Sequence, residues 1–163
     1  MKKFQPFSGT VTMINDFLID ESGEGLGCYK LMSVKNNYGN LVNFVVEPDT
    51  YFVDHVMVSR GDIVTGFYDI NSPVPLIFPP QFRAIVMAKN SLYQNVKVDY
   101  FNNQLVSSDN SLKLNIAPWT QITLKNGQSF TGNPSNRNLI VVYGATTKSI
   151  PAQTSPYKII VMC

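Results

Sequence analysis

Hydrophobic and polar positions alternate with a period of two in short runs along this chain. Residues 9–14, 96–100, 112–116 and 121–124 all do so, and Asn, Gly, Ser or Pro bounds each run. No stretch longer than two turns keeps a 3.6-residue period. The best helical candidate spans residues 50–58 with Thr50 as a cap, but Tyr51, Val53, Val56 and Val58 are poor helix formers. The pattern therefore predicts strands at 8–15, 28–36, 41–47, 62–69 and 82–88, then at 96–101, 104–108, 111–117, 138–144 and 157–163. Lys125-Asn126-Gly127-Gln128 reads as an added type I′ hairpin.

The two sets of strands resemble one another. Tyr68 to Met87 lies over Tyr143 to Met162 at an offset of 75, with Ile85-Val86-Met87 on Ile160-Val161-Met162 and no gap. At an offset of 70, Val42, Phe44, Val46, Pro48, Thr50 and Phe52 lie over Leu112, Leu114, Ile116, Pro118, Thr120 and Ile122. An internal repeat is the simplest reading, with a first domain over residues 1–89, a related one over 95–163 and a short joint at 89–95.

Val, Ile, Thr, Phe and Tyr supply about a third of the chain, whereas Ala contributes five residues and Glu three, which reinforces strand over helix. Five strands with Gly61-Asp62 directly before the fourth, in Gly61-Asp62-Ile63-Val64-Thr65-Gly66-Phe67-Tyr68, resemble the OB-fold, a five-stranded Greek-key barrel. The likeness is weaker in the second half, where Asn136-Arg137-Asn138 replaces Gly-Asp. The fold class expected is all-β, with two tandem OB-like barrels or half-barrels packed together. The resemblance implies a ligand face on strands 2 and 3 and the nearby loops, where Tyr29, Tyr38, Phe44 and Tyr51 are the aromatic candidates and Lys30, Lys35 and Lys113 the available cations. It implies no catalytic residue, because the fold hosts many activities.

Charge narrows the partners. Thirteen Lys and Arg against eleven Asp and Glu in 163 residues give a net +2, too balanced for a general binder of polyanions, so nucleic acid is possible but disfavoured. No apolar run is long enough to span a bilayer, and the opening residues 1–16 lack the apolar core of a secretion signal, so a cytoplasmic protein without a membrane segment is expected. Cys28 and Cys163 are the only cysteines and His55 the only histidine, so no standard four-ligand zinc site is available and free thiols are expected. The acidic segment 15–27 lacks the alternating oxygen ligands of a calcium loop, and no glycine-rich phosphate loop occurs. Neither a cofactor nor a metal is expected.

The least ordinary segment is Ser72-Pro73-Val74-Pro75-Leu76-Ile77-Phe78-Pro79-Pro80, between the fourth and fifth strands. Each proline fixes its own φ and biases the residue before it toward extended backbone, so the segment is a stiff arm. It either folds over its own barrel, seals the contact between the halves, or offers a preorganised surface to a partner. Pro73, Val74, Pro75, Leu76, Ile77, Phe78, Pro79 and Pro80 are thus the partner-binding candidates. The leading expectation is a non-enzymatic interaction or structural module that binds a protein partner or its own copies. The alternatives are an oligonucleotide- or oligosaccharide-binding module, and a hydrolase using His55. The hydrolase requires a Ser or Cys nucleophile and a carboxylate within hydrogen-bond reach of the imidazole.

Overall fold

The computed structural model describes residues 2–17 and 27–163, so most of the acidic segment lies outside the described residues. The protein is all-β, and its chain divides into two compact units, Met1–Asn90 and Ser91–Cys163.

In the N-terminal unit, β1 (Phe4–Asp16) serves two partners. Its first half pairs antiparallel with β5 (Ile63–Asp69), from Phe4 opposite Asp69 to Thr10 opposite Ile63. Its second half pairs with β2 (Lys30–Lys35), and the register shifts between Val11 and Met13. Gly9 sits where the two ladders meet. A Cβ there would collide with the Lys35 carbonyl, so the bare backbone lets the strands close in at the bend.

β2 turns into β3 (Leu41–Val46) through Asn36–Asn40, where Asn36 N–H donates to the Asn40 carbonyl at 3.0 Å and Gly39 takes φ 84°. Residues along β3 alternate between half-buried and buried, which places Val42, Phe44 and Val46 in the core. The segment expected as a possible helix is instead β4 (Tyr51–Phe52) and a tight turn at Val53–His55, in which Asp54 and His55 have φ of 61° and 52°. Its β-branched and aromatic residues favour extended backbone, as their propensities say.

The last strand of the unit is broken in two. β6 (Gln81–Arg83) runs parallel to β3, and β7 (Val86–Lys89) runs antiparallel to β5 and parallel to β4. Only Ala84 and Ile85 separate them, and their amides point to opposite neighbours. Ala84 donates to the Val45 carbonyl at 3.0 Å and Ile85 to the Phe67 carbonyl at 2.9 Å. Val11, Met32, Val34, Phe44, Val64 and Met87 fill the interior.

The C-terminal unit lays down its ladders in the same order. β8 (Asn95–Phe101) pairs antiparallel with β11 (Arg137–Tyr143), which pairs with β13 (Lys158–Met162). β9 (Leu112–Leu114) lies parallel to β12 (Ala152–Thr154), and β10 (Gln121–Leu124) lies parallel to β13. The strand expected at 104–108 is reduced to single bridges, Phe101 with Ser107 and Val106 with Lys113. Its core is Phe101, Leu112, Leu114, Leu139, Val141, Ile159 and Val161.

Two expectations change. Hydrogen bonding sorts the strands into sheets of seven, four and two, not into two sets of five. In each unit the late chain runs parallel to two earlier strands, which gives it a solenoid-like course that short-range alternation does not reveal. The expected type I′ hairpin is also replaced. Leu124 N–H donates to the Gln128 carbonyl at 2.8 Å and only Gly127 has positive φ, so the turn is type I with a glycine bulge.

Candidate interaction site

The proline arm begins at a fixed point. At the end of β5, Asp69 Oδ1 accepts hydrogen bonds from the amides of Lys3 and Asn71, both at 3.0 Å, and Oδ2 accepts from the Ser72 hydroxyl at 3.4 Å. Ser72 N–H closes the turn onto the Asp69 carbonyl at 3.1 Å. Burial opposes the charge on Asp69, but these donors and the charge of Lys2 together hold its carboxyl below the usual carboxylate range. The arm also ends at a fixed point. Asn43 N–H donates to the Pro80 carbonyl at 2.9 Å, and the Phe82 ring stacks on Tyr68 with centroids 3.9 Å apart and planes 5° from parallel. Such a pair is worth about 0.5–1.5 kcal/mol beyond its buried area.

Between these anchors the side chains face solvent. Leu76 is 101% exposed and Phe78 is 90% exposed, with Val74 and Ile77 also exposed. Among the described hydrogen bonds, none ties residues 74–79 to the rest of the unit. The eight candidates therefore stand together as one displayed segment, with Pro73 and Pro75 exposed and Pro79 and Pro80 half-buried at its base. The arm does not fold back over its own unit. Its own prolines and two anchored ends hold it, so burial of Leu76 and Phe78 is not needed to keep it in place.

The four ligand-face aromatics do not come together. Phe44 is fully buried, because the alternation of β3 turns it inward beside Val42 and Val46. Tyr51 is buried too, and burial, followed by the charge of Asp54, raises its hydroxyl pKa above 10. Tyr29 is half-buried just before β2, and Tyr38 is exposed at the tip of the Asn36–Asn40 turn. A base- or sugar-stacking row across strands 2 and 3 is therefore not formed by these residues. Of the cations, Lys30 is paired with Asp16.

His55 is exposed, and its ring meets Tyr51 edge-on with centroids 5.7 Å apart. Among the described residues no hydrogen bond joins it to a serine, a cysteine or a carboxylate, and no group of three or more His, Cys, Asp or Glu could hold a metal ion. Cys28 and Cys163 are both exposed free thiols.

One aromatic pair escaped sequence reasoning. Trp119 is 58% exposed and Tyr157 is 48% exposed, with ring centroids 6.4 Å apart at 41°, and the exposed Ile116 and Pro118 adjoin Trp119 in sequence. The signal was present in the offset of 70, which places the chain's single tryptophan on Asp49. Compared with known proteins, the chain matches no family, no curated protein and no solved structure.

Proposed function

We propose that this chain is a non-catalytic protein-interaction module that works through its proline arm, residues 73–80. The observation that supports the reading most directly is the exposure of Leu76 and Phe78 on a segment anchored at both ends. Large apolar side chains held out by a stiff backbone lose little conformational entropy on binding, and burying each contributes on the order of 1.5–3 kcal/mol. The same observations weigh against catalysis by His55, which faces solvent without a hydrogen-bonded nucleophile. They also weigh against a stacking groove, because Phe44 and Tyr51 are interior.

The scaffold reading that goes with this is an OB-like barrel in each unit. Its support comes from the N-terminal unit, in the run of ladders β1 to β2, β2 to β3, β3 to β6, then β7 to β5 and β5 to β1, with only two residues between β6 and β7.

A photo-crosslinking residue at position 78 of the full chain tests the interaction. Irradiation of the purified protein, and separately of an extract of its native cells, should give discrete protein adducts from position 78 and none from the equally exposed control position 38. Equal, diffuse labelling at both positions would defeat the proposal.

A further inference from the structure

Four asparagines among the described residues close the same small turn. The side-chain oxygen of Asn36 accepts a hydrogen bond from the Tyr38 amide at 3.0 Å, and that of Asn102 accepts from the Gln104 amide at 2.9 Å. Asn126 accepts from the Gln128 amide at 3.1 Å, and Asn133 from the Ser135 amide at 2.9 Å. The ring that each bond closes contains the side-chain carbonyl carbon and the peptide nitrogen of the following residue, and it folds the side chain forward along the main chain.

What differs is the residue that supplies this nitrogen: Asn37, Asn103, Gly127 and Pro134 in turn. A proline nitrogen carries no hydrogen and cannot become an amide anion. Asn37 and Asn103 bear side chains that crowd the nitrogen. Gly127 bears none, and Asn126-Gly127 is the only Asn-Gly pair in the chain.

The pair also stands in the open. Residues 126–129 are exposed at the tip of the hairpin that follows β10, and a Cβ at Gly127 would meet nothing within 4 Å. One bond restrains the nitrogen, from Gly127 N–H to the Leu124 carbonyl at 3.0 Å. At a solvent-exposed tip such a bond opens at little cost. The Gln128 amide, meanwhile, draws electron density from the Asn126 side-chain carbonyl and is placed to hold the negative charge that builds on its oxygen when a nucleophile adds.

We propose that Asn126 is a site of covalent self-modification, in which the Gly127 nitrogen displaces ammonia from the Asn126 side chain and hydrolysis leaves aspartate or isoaspartate at position 126. Hydroxide takes the Gly127 amide proton, and the nitrogen lone pair attacks Cγ of Asn126. The new C–N bond forms, the Cγ–Nδ2 bond breaks, and ammonia leaves with a proton from water. Water then opens the five-membered imide. Attack at Cγ breaks its new bond to nitrogen and gives aspartate, whereas attack at the main-chain carbonyl breaks the original peptide bond to Gly127 and gives isoaspartate. Asparagine and water become acid and ammonia, with no change of oxidation state. The reaction needs no partner and stands whatever the proline arm binds.

The two products act differently on the fold. Aspartate keeps an oxygen for the Gln128 amide, so the turn survives. Isoaspartate adds one backbone atom between Leu124 and Gln128, whose amide and carbonyl close the hairpin at 2.8 Å. That addition disturbs the pairing of Thr123 with Ser129 and the bond from the Phe130 amide to the Ile122 carbonyl at 3.0 Å. Phe130 packs against the C-terminal core, with the Arg137 guanidinium 5.0 Å from its ring centre, so the chemistry at the tip reaches the packing beneath it.

The test incubates the folded full chain near neutral pH and in mild alkali. Peptide mapping by mass spectrometry reads the gain of about 1 Da at each asparagine, and a protein isoaspartyl methyltransferase with labelled methyl donor reads isoaspartate. Asn126 should convert faster than Asn36 and Asn102 by a factor on the order of ten or more. Conversion should accelerate in alkali and give both acids, with Asn133 intact. Asn126→Gln, which would have to close a larger ring, should lose most of the methyl acceptance. Equal rates at Asn36, Asn102 and Asn126, or methylation unchanged in Asn126→Gln, overturns the inference. An Asn126 still intact at the end, whether or not other asparagines have converted, also overturns it and shows the bond to Leu124 to be a lock. Hydrogen exchange then reads the consequence: the Phe130 amide should stay protected in Asn126→Asp and lose protection in the chromatographically separated isoaspartyl form. Equal protection in the two overturns the link to Phe130.

Discussion

Replacing Gly66 by alanine tests how tightly the N-terminal core is packed. A Cβ at Gly66 would lie 2.6 Å from Cζ and 2.8 Å from Cε2 of Phe44, well inside carbon–carbon contact. The ring has little room to withdraw, because it is fully buried, with the rings of Phe7 and Tyr68 tilted against it at 6.4 Å and 6.3 Å. Two effects compete. Alanine restricts the unfolded chain, which favours folding by about 0.4–1 kcal/mol. Forcing a carbon into a filled core costs about 1–3 kcal/mol, and here the overlap is with two ring atoms, so the clash wins. The expected net loss is about 1–2 kcal/mol. Phe44→Leu shortens the side chain where the overlap occurs, and on its own it leaves a cavity costing less than the ~3–5 kcal/mol of truncation to alanine. The two changes should therefore couple, with the double variant less destabilised than the sum by on the order of 1 kcal/mol. Urea unfolding followed by far-UV circular dichroism reads this as a midpoint lowered by about 1 M at unchanged slope, with Trp119 emission reporting the C-terminal unit separately. A neutral or stabilising Gly66→Ala, or strict additivity with Phe44→Leu, would refute the packing argument.

Three further outcomes are expected. Glu47–Thr50 and Ala117–Thr120 form the same turn, in which the threonine hydroxyl accepts from the Glu47 or Ala117 amide and donates to the Ala84 or Pro156 carbonyl. Thr50→Val and Thr120→Val should each cost about 1–3 kcal/mol, since each leaves a turn amide and a carbonyl without their hydroxyl partner, while Thr→Ser should retain most of the stability; equal midpoints for Val and Ser would count against the shared turn. Ala84 and Ile85 donate to carbonyls on different strands, those of Val45 and Phe67, so both amides should resist hydrogen exchange in NMR; free exchange at either would count against that split. Asp109 lies below its ordinary range because, although burial opposes its charge, Lys97, the hydroxyls of Ser107 and Ser111 and the Ser111 amide hold the carboxylate. A lowered folded pKa contributes stability above the unfolded value, about pH 4, and that stability is lost as the pH falls further. Melting temperature should thus drop more steeply below pH 4 in the parent than in Asp109→Asn, and identical slopes would remove Asp109 from the acid transition.

What the sequence made legible follows from range. Alternation located nearly every strand, since inward positions such as Val42, Phe44 and Val46 recur every second residue, a local property. It did not show which of the ligand-face candidates would be interior, for the same reason. Alternation tells which residues share a face but not which face is interior, and Phe44 went to the core while Tyr38 went to a turn. Pairing was also out of reach. That β6 lies parallel to β3 depends on hydrogen bonds between residues such as Asn43 and Pro80, nearly forty positions apart. The proline arm was legible because proline acts on its own backbone, whatever surrounds it. The gapless match of Ile85-Val86-Met87 with Ile160-Val161-Met162 misled in a telling way. Short apolar strands look alike at several shifts, and the register places Val86 opposite Tyr51 as Lys158 lies opposite Gln121, three residues away from that match.

This displacement locates the difference between the two units. Equivalent residues are 75 apart at Phe67 and Val142 but 72 apart at Val86 and Lys158, so the length difference falls within the arm and its counterpart, residues 145–151. The strands on either side keep their pairings, and the threonine turns keep their hydrogen bonds. A change confined to one loop leaves the ladders intact, because loop closure depends only weakly on length. The arm could therefore lengthen and turn apolar without disturbing β5 or β7. Trp119 could likewise take the place of Asp49, which pairs with Arg83, at a turn that Thr120 alone holds shut. Both changes add exposed apolar surface and neither adds core. Exposed apolar side chains such as Trp119 and Leu76 contribute little to folding, so the two units differ here in surface and not in core. The two units thus hold the same threonine turn and the same late ladders and differ in the side chains that their loops display.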